Sequence, residues 1–230
     1  MKDIVDLTVA QIRVFAVDVI PFRALRTQEV LGRFKQQLGF AQVMLDPVAP
    51  AIGFQGGKIE VDGQGFVIEG LAIEPRRMQL QVLGPSRVAD ACYAAVREVI
   101  AGCDREGSTK ADPIVTSQET SCSVTLAFHV ERLFAKQVLS FAREDLLPRA
   151  ALPGSKAIVR SLKLEVGIGY SVQDQRIKDH DISLSPKQLV IEPRVGTRLE
   201  EQRYFTSSPL DSEAHLTVLE MLETRLKQTK

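Results

Sequence analysis

Two short stretches of this chain carry the same chemistry-bearing pattern. Glu74-Pro75-Arg76 closes the hexapeptide that starts at Leu71, and Glu192-Pro193-Arg194 closes the near-identical hexapeptide that starts at Leu189. A carboxylate and a guanidinium either side of a proline could hold a charged ligand through charge-assisted hydrogen bonds. Two such corners on one rim of a joint sheet would gather two carboxylates and two guanidiniums. Glu74, Arg76, Glu192 and Arg194 are therefore the candidate binding residues. The plainer reading competes with it and is favoured: proline ends a strand, Glu and Arg flank it in solvent, and the repeat records the ancestry of a turn.

Other residue types offer less. The histidines are His129, His180 and His215. Asp179-His180-Asp181 puts potential ligands next to one another in sequence, where an extended backbone turns them different ways, and no second cluster completes a set of three or four. His215 falls in the first turns of a helix, where the dipole disfavours its positive form. Cys92, Cys103 and Cys122 form no CxxC pair; they read as small buried hydrophobes in a reducing compartment. No serine or cysteine sits in a strand-turn-helix elbow. Pro153-Gly154-Ser155-Lys156 lacks the spacing of a phosphate loop, and Gly167 and Gly169 lie within an apolar strand, where they suggest a bend or close backbone packing. No catalytic residue, metal site or cofactor is expected.

The elements that would carry these residues follow from periodicity. Residues 7–20 read as a strand ended by Pro21. A helix follows from Thr27, with Val30, Leu31, Phe34 and Leu38 on one stripe and Gly39 as its stop. Residues 43–45, 58–61, 65–69 and 78–82 read as strands of an antiparallel meander, turned at Asp62-Gly63 and at the first corner. Gly84-Pro85 opens a helix with Val88, Ala91, Cys92, Ala95, Val96 and Val99 on one face. The pattern then restarts, with a strand over 123–130 and a helix from Glu131 bearing Phe134, Val138 and Phe141. Strands are expected over 158–170, 181–184, 189–191 and 203–206, and Ser208-Pro209 with Asp211 starts a last helix striped by Val218, Leu219, Leu222 and Leu226.

Both halves thus read β, α, several β, α. The spacing between them is 110 residues from Val14 to Val124, 118 at the hexapeptides and 124 between Pro85 and Pro209. A duplication with loops grown in the second copy accounts for this. The expected fold is α+β: tandem β-α-β(meander)-α units over 1–107 and 121–230, a linker over 108–120, and an antiparallel sheet, shared or separate, with helices packed on one face.

At 230 residues the chain is long enough to fold without staples. Lys plus Arg and Asp plus Glu number 29 each, so no global field selects nucleic acid or an anionic surface. The charged start, Met1-Lys2-Asp3, lacks a signal-peptide core, and no stretch has the length of a membrane span, so a cytoplasmic protein without a membrane partner is expected.

The first functional expectation is a non-catalytic binding or assembly protein, with a protein partner or self-association through edge strands. The second is nucleic-acid binding, because a duplicated unit of this order resembles in topology the saddle-shaped DNA-binding proteins of the TATA-box-binding kind; none of that family's signature residues is present, and basic residues such as Arg26 and Arg33 read as a solvated helix face. The third is a small enzyme with a sheet-helix cavity using acids such as Glu60, Glu69 or Glu165.

Overall fold

A computed structural model describes residues 1–15, 22–45, 50–102, 112–150, 162–179 and 185–228. The strands are β1 (Lys2–Val14), β2 (Gln42–Leu45), β3 (Ile52–Val61), β4 (Gln64–Glu74), β5 (Arg77–Leu83), β6 (Val115–Thr125), β7 (Leu164–Ile168), β8 (Lys187–Pro193) and β9 (Arg203–Ser208). The helices are α1 (Phe22–Leu25), α2 (Gln28–Leu38), α3 (Ser86–Ala101), α4 (Lys136–Ser140), α5 (Leu147–Ala150), α6 (Gln175–Asp179) and α7 (Ser212–Gln228). The fold is α+β, with all nine strands in one antiparallel sheet ordered β2-β3-β4-β5-β1-β6-β9-β8-β7.

The first wing of that sheet follows its sequence closely. In α2, Val30, Leu31, Phe34 and Leu38 are buried on one stripe, and Gly39 ends the helix at φ +59°, a conformation that favours glycine. Along β5 burial alternates strictly, with Met78, Leu80 and Val82 turned inward. These residues pack with Ile52, Phe54, Ile68, Leu71 and Ile73 of the meander, and with Val88, Ala89, Cys92, Val96 and Val99 of α3, in one apolar cluster. The Phe54 ring packs at a tilt against Phe34, with centroids 4.6 Å apart, and against Phe40 at 5.1 Å. The close fit requires Gly57, because a Cβ there would lie 2.6 Å from the Phe40 ring.

The second wing holds a smaller cluster of Cys122, Val124, Leu126, Phe128, Val130, Ile191, Tyr204 and Leu219. Tyr204 donates its hydroxyl to the Phe128 carbonyl at 2.8 Å, which satisfies a phenol buried among apolar neighbours. The helix expected from Glu131 is broken here. A 3₁₀ turn spans Val130–Leu133, then α4, a π-helical stretch over Phe141–Leu146, and α5, with Val138, Phe141 and Leu146 exposed.

The wings join through β1 and β6, paired from Lys2↔Thr125 to Val14↔Val115. The strand expected over 123–130 therefore begins at Val115, inside the expected linker, and ends at Thr125. Its Ser/Thr/Gln-rich first half has the composition of a loop, and its central place in the sheet, rather than an apolar period, makes it a strand. Likewise β1 starts at Lys2, before the expected strand, with Asp3 and Asp6 at positive φ where its pairing shifts register. The expected strand residues 16–20 and 181–184 lie outside the described residues, as do Cys103, His180 and the segment 153–156. Among the described residues no helix is long and apolar enough to cross a membrane.

Candidate functional site

The two corners occupy opposite ends of the sheet instead of one rim. Glu74 lies opposite Arg77, which lies opposite Val14 at the C-terminal end of β1. Pro193 lies opposite Tyr204, whose partner Val124 adjoins Thr125, and Thr125 pairs with Lys2 at the N-terminal end of β1. Five strand steps of about 4.8 Å also separate β4 from β8, so the corners are at least roughly 24 Å apart. Antiparallel pairing of the central strands is the cause, since it points the wings in opposite directions. Each corner is closed locally. Glu74 bonds Arg77 at 2.6 Å, the Arg76 Nε approaches the Phe15 carbonyl at 3.5 Å, and Arg194 bonds Asp6 at 3.0 Å. Glu192 sits on β8 opposite Phe205.

The other candidate acids are similarly scattered. Glu69 accepts from Gln81 at 2.5 Å, Glu165 pairs with Lys163 at 2.6 Å, and Glu60 lies on β3 opposite Gly65. Arg33 pairs with Glu29 at 2.6 Å one helical turn away, as a solvated helix face does. Among the described residues nothing lies within 4 Å of a Cβ added at Gly167 or Gly169, so no close packing of those residues accounts for the two glycines.

His215 is placed differently from its expected role as a helix-start residue alone. It is buried at 1 % exposure. Its Nδ1 lies 2.7 Å from Ser208 Oγ, and its Nε2 lies 3.0 Å from Thr206 Oγ1 and 3.6 Å from Cys122 Sγ. Burial pushes the imidazole pKa down to about 4 and pushes the Cys122 thiol up. A neutral histidine and a protonated thiol, sealed from solvent, make a satisfied polar knot under α7 rather than an activated nucleophile. The sequence hint was the alternation of Cys122, Val124 and Leu126 on one strand face, with Thr206 and Ser208 on the neighbouring strand.

Two grooves meet at the first half of β6, which the sequence did not single out. One encloses about 530 Å³ and is lined by Ile12, Val14, Val115, Tyr170 and Pro209, with Arg77 and Lys187 as its cations. The other, of about 540 Å³, lies where the N-termini of α3 and α7 converge, beside Asp90, Asp211 and Glu213. At that convergence Ser86 and Ser212 cap each other. The Ser86 amide donates to Ser212 Oγ at 2.9 Å and the Ser212 amide donates to Ser86 Oγ at 2.8 Å. Asp211 caps α7 a second time through the Ala214 amide at 2.7 Å.

The groove walls arise from unequal strand lengths. β9 pairs with β6 only from Thr120↔Ser208 to Thr125↔Arg203. Residues Val115 to Glu119 thus have β1 on one side and, among the described residues, no ladder partner on the other. Lys187, at the head of β8, reaches over to Glu119 at 3.3 Å.

No protein-family model matches this chain, and no curated protein matches it. The groups that could hold a ligand must be judged on their own geometry. Among the described residues no set of three histidine, cysteine or acidic side chains is placed to hold a metal ion.

Proposed function

We propose that the chain is a binding or assembly protein built from two copies of one β-α-β-meander-α unit, with its helices on one sheet face and its working surface at the joint between the copies. The observation that carries this reading is the groove of about 530 Å³ at the first half of β6, where an apolar floor is combined with two cations and several hydroxyls. Concave, largely apolar sites with a few fixed polar groups are where ligands bind.

Four features support duplication. Read outward from the joint, β1, β5, β4 and β3 are mirrored in order by β6, β9, β8 and β7. The hexapeptides fall on β4 and β8, with Ile73 and Ile191 both fully buried. α3 and α7 each follow the strand that flanks the joint. Ser86 and Ser212 hold the same place on those two helices and bond each other reciprocally, as residues beside a twofold axis would.

Nucleic acid is disfavoured because cations beside the groove already have acidic partners, Arg77 with Glu74 and Lys187 with Glu119. Native mass spectrometry of the protein purified gently from its own host tests the binding reading. A stoichiometric companion, or a defined homo-oligomer, is expected; a bare monomer that turns over a substrate would sink it.

A further inference from the structure

We propose that the slot beside the first half of β6 takes an extended peptide segment of a partner protein, added as a strand to the sheet; this deepens the binding reading above. Three observations carry it.

First, the slot is one strand wide. β8 and β6 are both neighbours of β9, and β9 ends at Ser208. Opposite Ser207 lies Val190, so Gln188 and Lys187 run on past the end of β9. The two walls are therefore two inter-strand spacings apart, roughly 9.6 Å, the width that one inserted strand fills.

Second, the wall carries ladder groups that have no partner among the described residues, with a fixed phase. In an antiparallel strand alternate residues direct N–H and C=O to opposite neighbours. The Leu126 amide donates to the Gln202 carbonyl, so even-numbered residues of β6 face the β9 side. On β1 the Leu7 carbonyl accepts from Gly84 and the Phe15 amide donates to Arg76, so odd-numbered residues of β1 face β5 and even-numbered ones face β6. Pairing of Ile12 with Ser117 and Ala10 with Glu119 then assigns the odd residues of β6 to β1. Thr116 and Gln118 are left directing their backbone groups into the slot. Both line the grooves. Gln188 carries the matching groups on β8, since the Arg194 amide donates to the Arg203 carbonyl and fixes even residues of β8 towards β9.

Third, the lining selects side chains. Val115, Tyr170 and Pro209 offer apolar contact, Ser117 and Ser185 are small, and the two cations of the lining, Arg77 and Lys187, are already paired with Glu74 and Glu119. An extended, uncharged segment with β-branched side chains complements this surface. Backbone bonds to Thr116 and Gln118 supply affinity, and alternate side chains supply selectivity.

The test pans a random heptapeptide library displayed on phage against the full chain, followed by titration of one synthesised winner. Selected peptides are expected to alternate β-branched and uncharged polar residues. Thr116→Pro removes an outward amide, which an edge position tolerates, and is expected to weaken binding at least tenfold. On the wild-type protein the winner is expected to slow amide exchange at Thr116 and Gln118 at least tenfold and leave Ser117 and Glu119 unchanged, a readout that does not depend on the proline variant folding. A peptide that binds without protecting those two amides overturns strand addition and leaves the binding reading standing. No retained peptide also overturns it, and a small-molecule or nucleic-acid companion in the native spectrum would then assign the groove to that ligand.

Discussion

His215 is the residue whose environment has the plainest consequence in solution. Its imidazole is neutral in the fold, with a pKa near 4, while in the unfolded chain it titrates near 6.5. Between those values the unfolded chain takes up a proton that the folded one refuses. Stability is therefore complete above about pH 6.5 and falls as the pH drops towards 4, by about 3 kcal/mol at most from this group. Urea unfolding across pH 7 to 4 should show that loss, and His215→Gln should flatten it; an unchanged slope in the variant would place the titration elsewhere. The mutual caps behave differently because they carry no charge. Ser86→Ala and Ser212→Ala should each cost about 1 kcal/mol in urea unfolding, and each acts on the other helix, since the lost hydroxyl was the acceptor for its partner's amide.

At the scale of elements, α2 and its expected counterpart in the second half have parted ways. Phe34 is fully buried between strand and helix, whereas Phe141 is 56 % exposed on a π-helical stretch. Phe34→Ala should cost about 3–5 kcal/mol and Phe141→Ala less than about 0.5 kcal/mol. Amide exchange should likewise be faster over Phe141–Leu146 than over Gln28–Leu38; equal protection would mean that the second helix docks as firmly as the first. Periodicity made α2, α3 and the meander legible, because in each the buried stripe was also the sequence stripe; in α7 the buried residues are Ser212, His215, Leu219 and Glu223, so only Leu219 of the expected stripe is fully buried. Periodicity failed for β6, whose Val115–Glu119 portion is hydroxyl- and amide-rich and, among the described residues, is a strand through pairing with β1 alone. Matching Val14 to Val124 by sequence also crossed faces: Val14 lines the groove with Ile12, while Val124 is buried in the second core. The groove was illegible for the same reason as β6, since it is made by where strands stop.

At the scale of the whole molecule, the joint lies between segments about a hundred residues apart, with Gln11 bonding both Asp90 and Gln118 across it. Neither half is closed without the other, so fluorescence and circular dichroism should report one coincident unfolding transition. A fragment of residues 1–107 should associate with itself through the bared edge of β1, visible as oligomers in size-exclusion chromatography; a well-behaved monomer would argue that this edge is protected by other means. The same joint matters while the chain is being made. β1 leaves the ribosome ahead of both its neighbours, and β5 can cover one of its edges, but the strand for the other edge ends about forty residues later. At roughly 5–20 residues per second, that edge of every nascent chain stays bare for a few seconds. Neighbouring chains on one messenger RNA would present the same edge to each other, so the rate of translation through residues 84–125 bears on how much of this protein reaches its folded form.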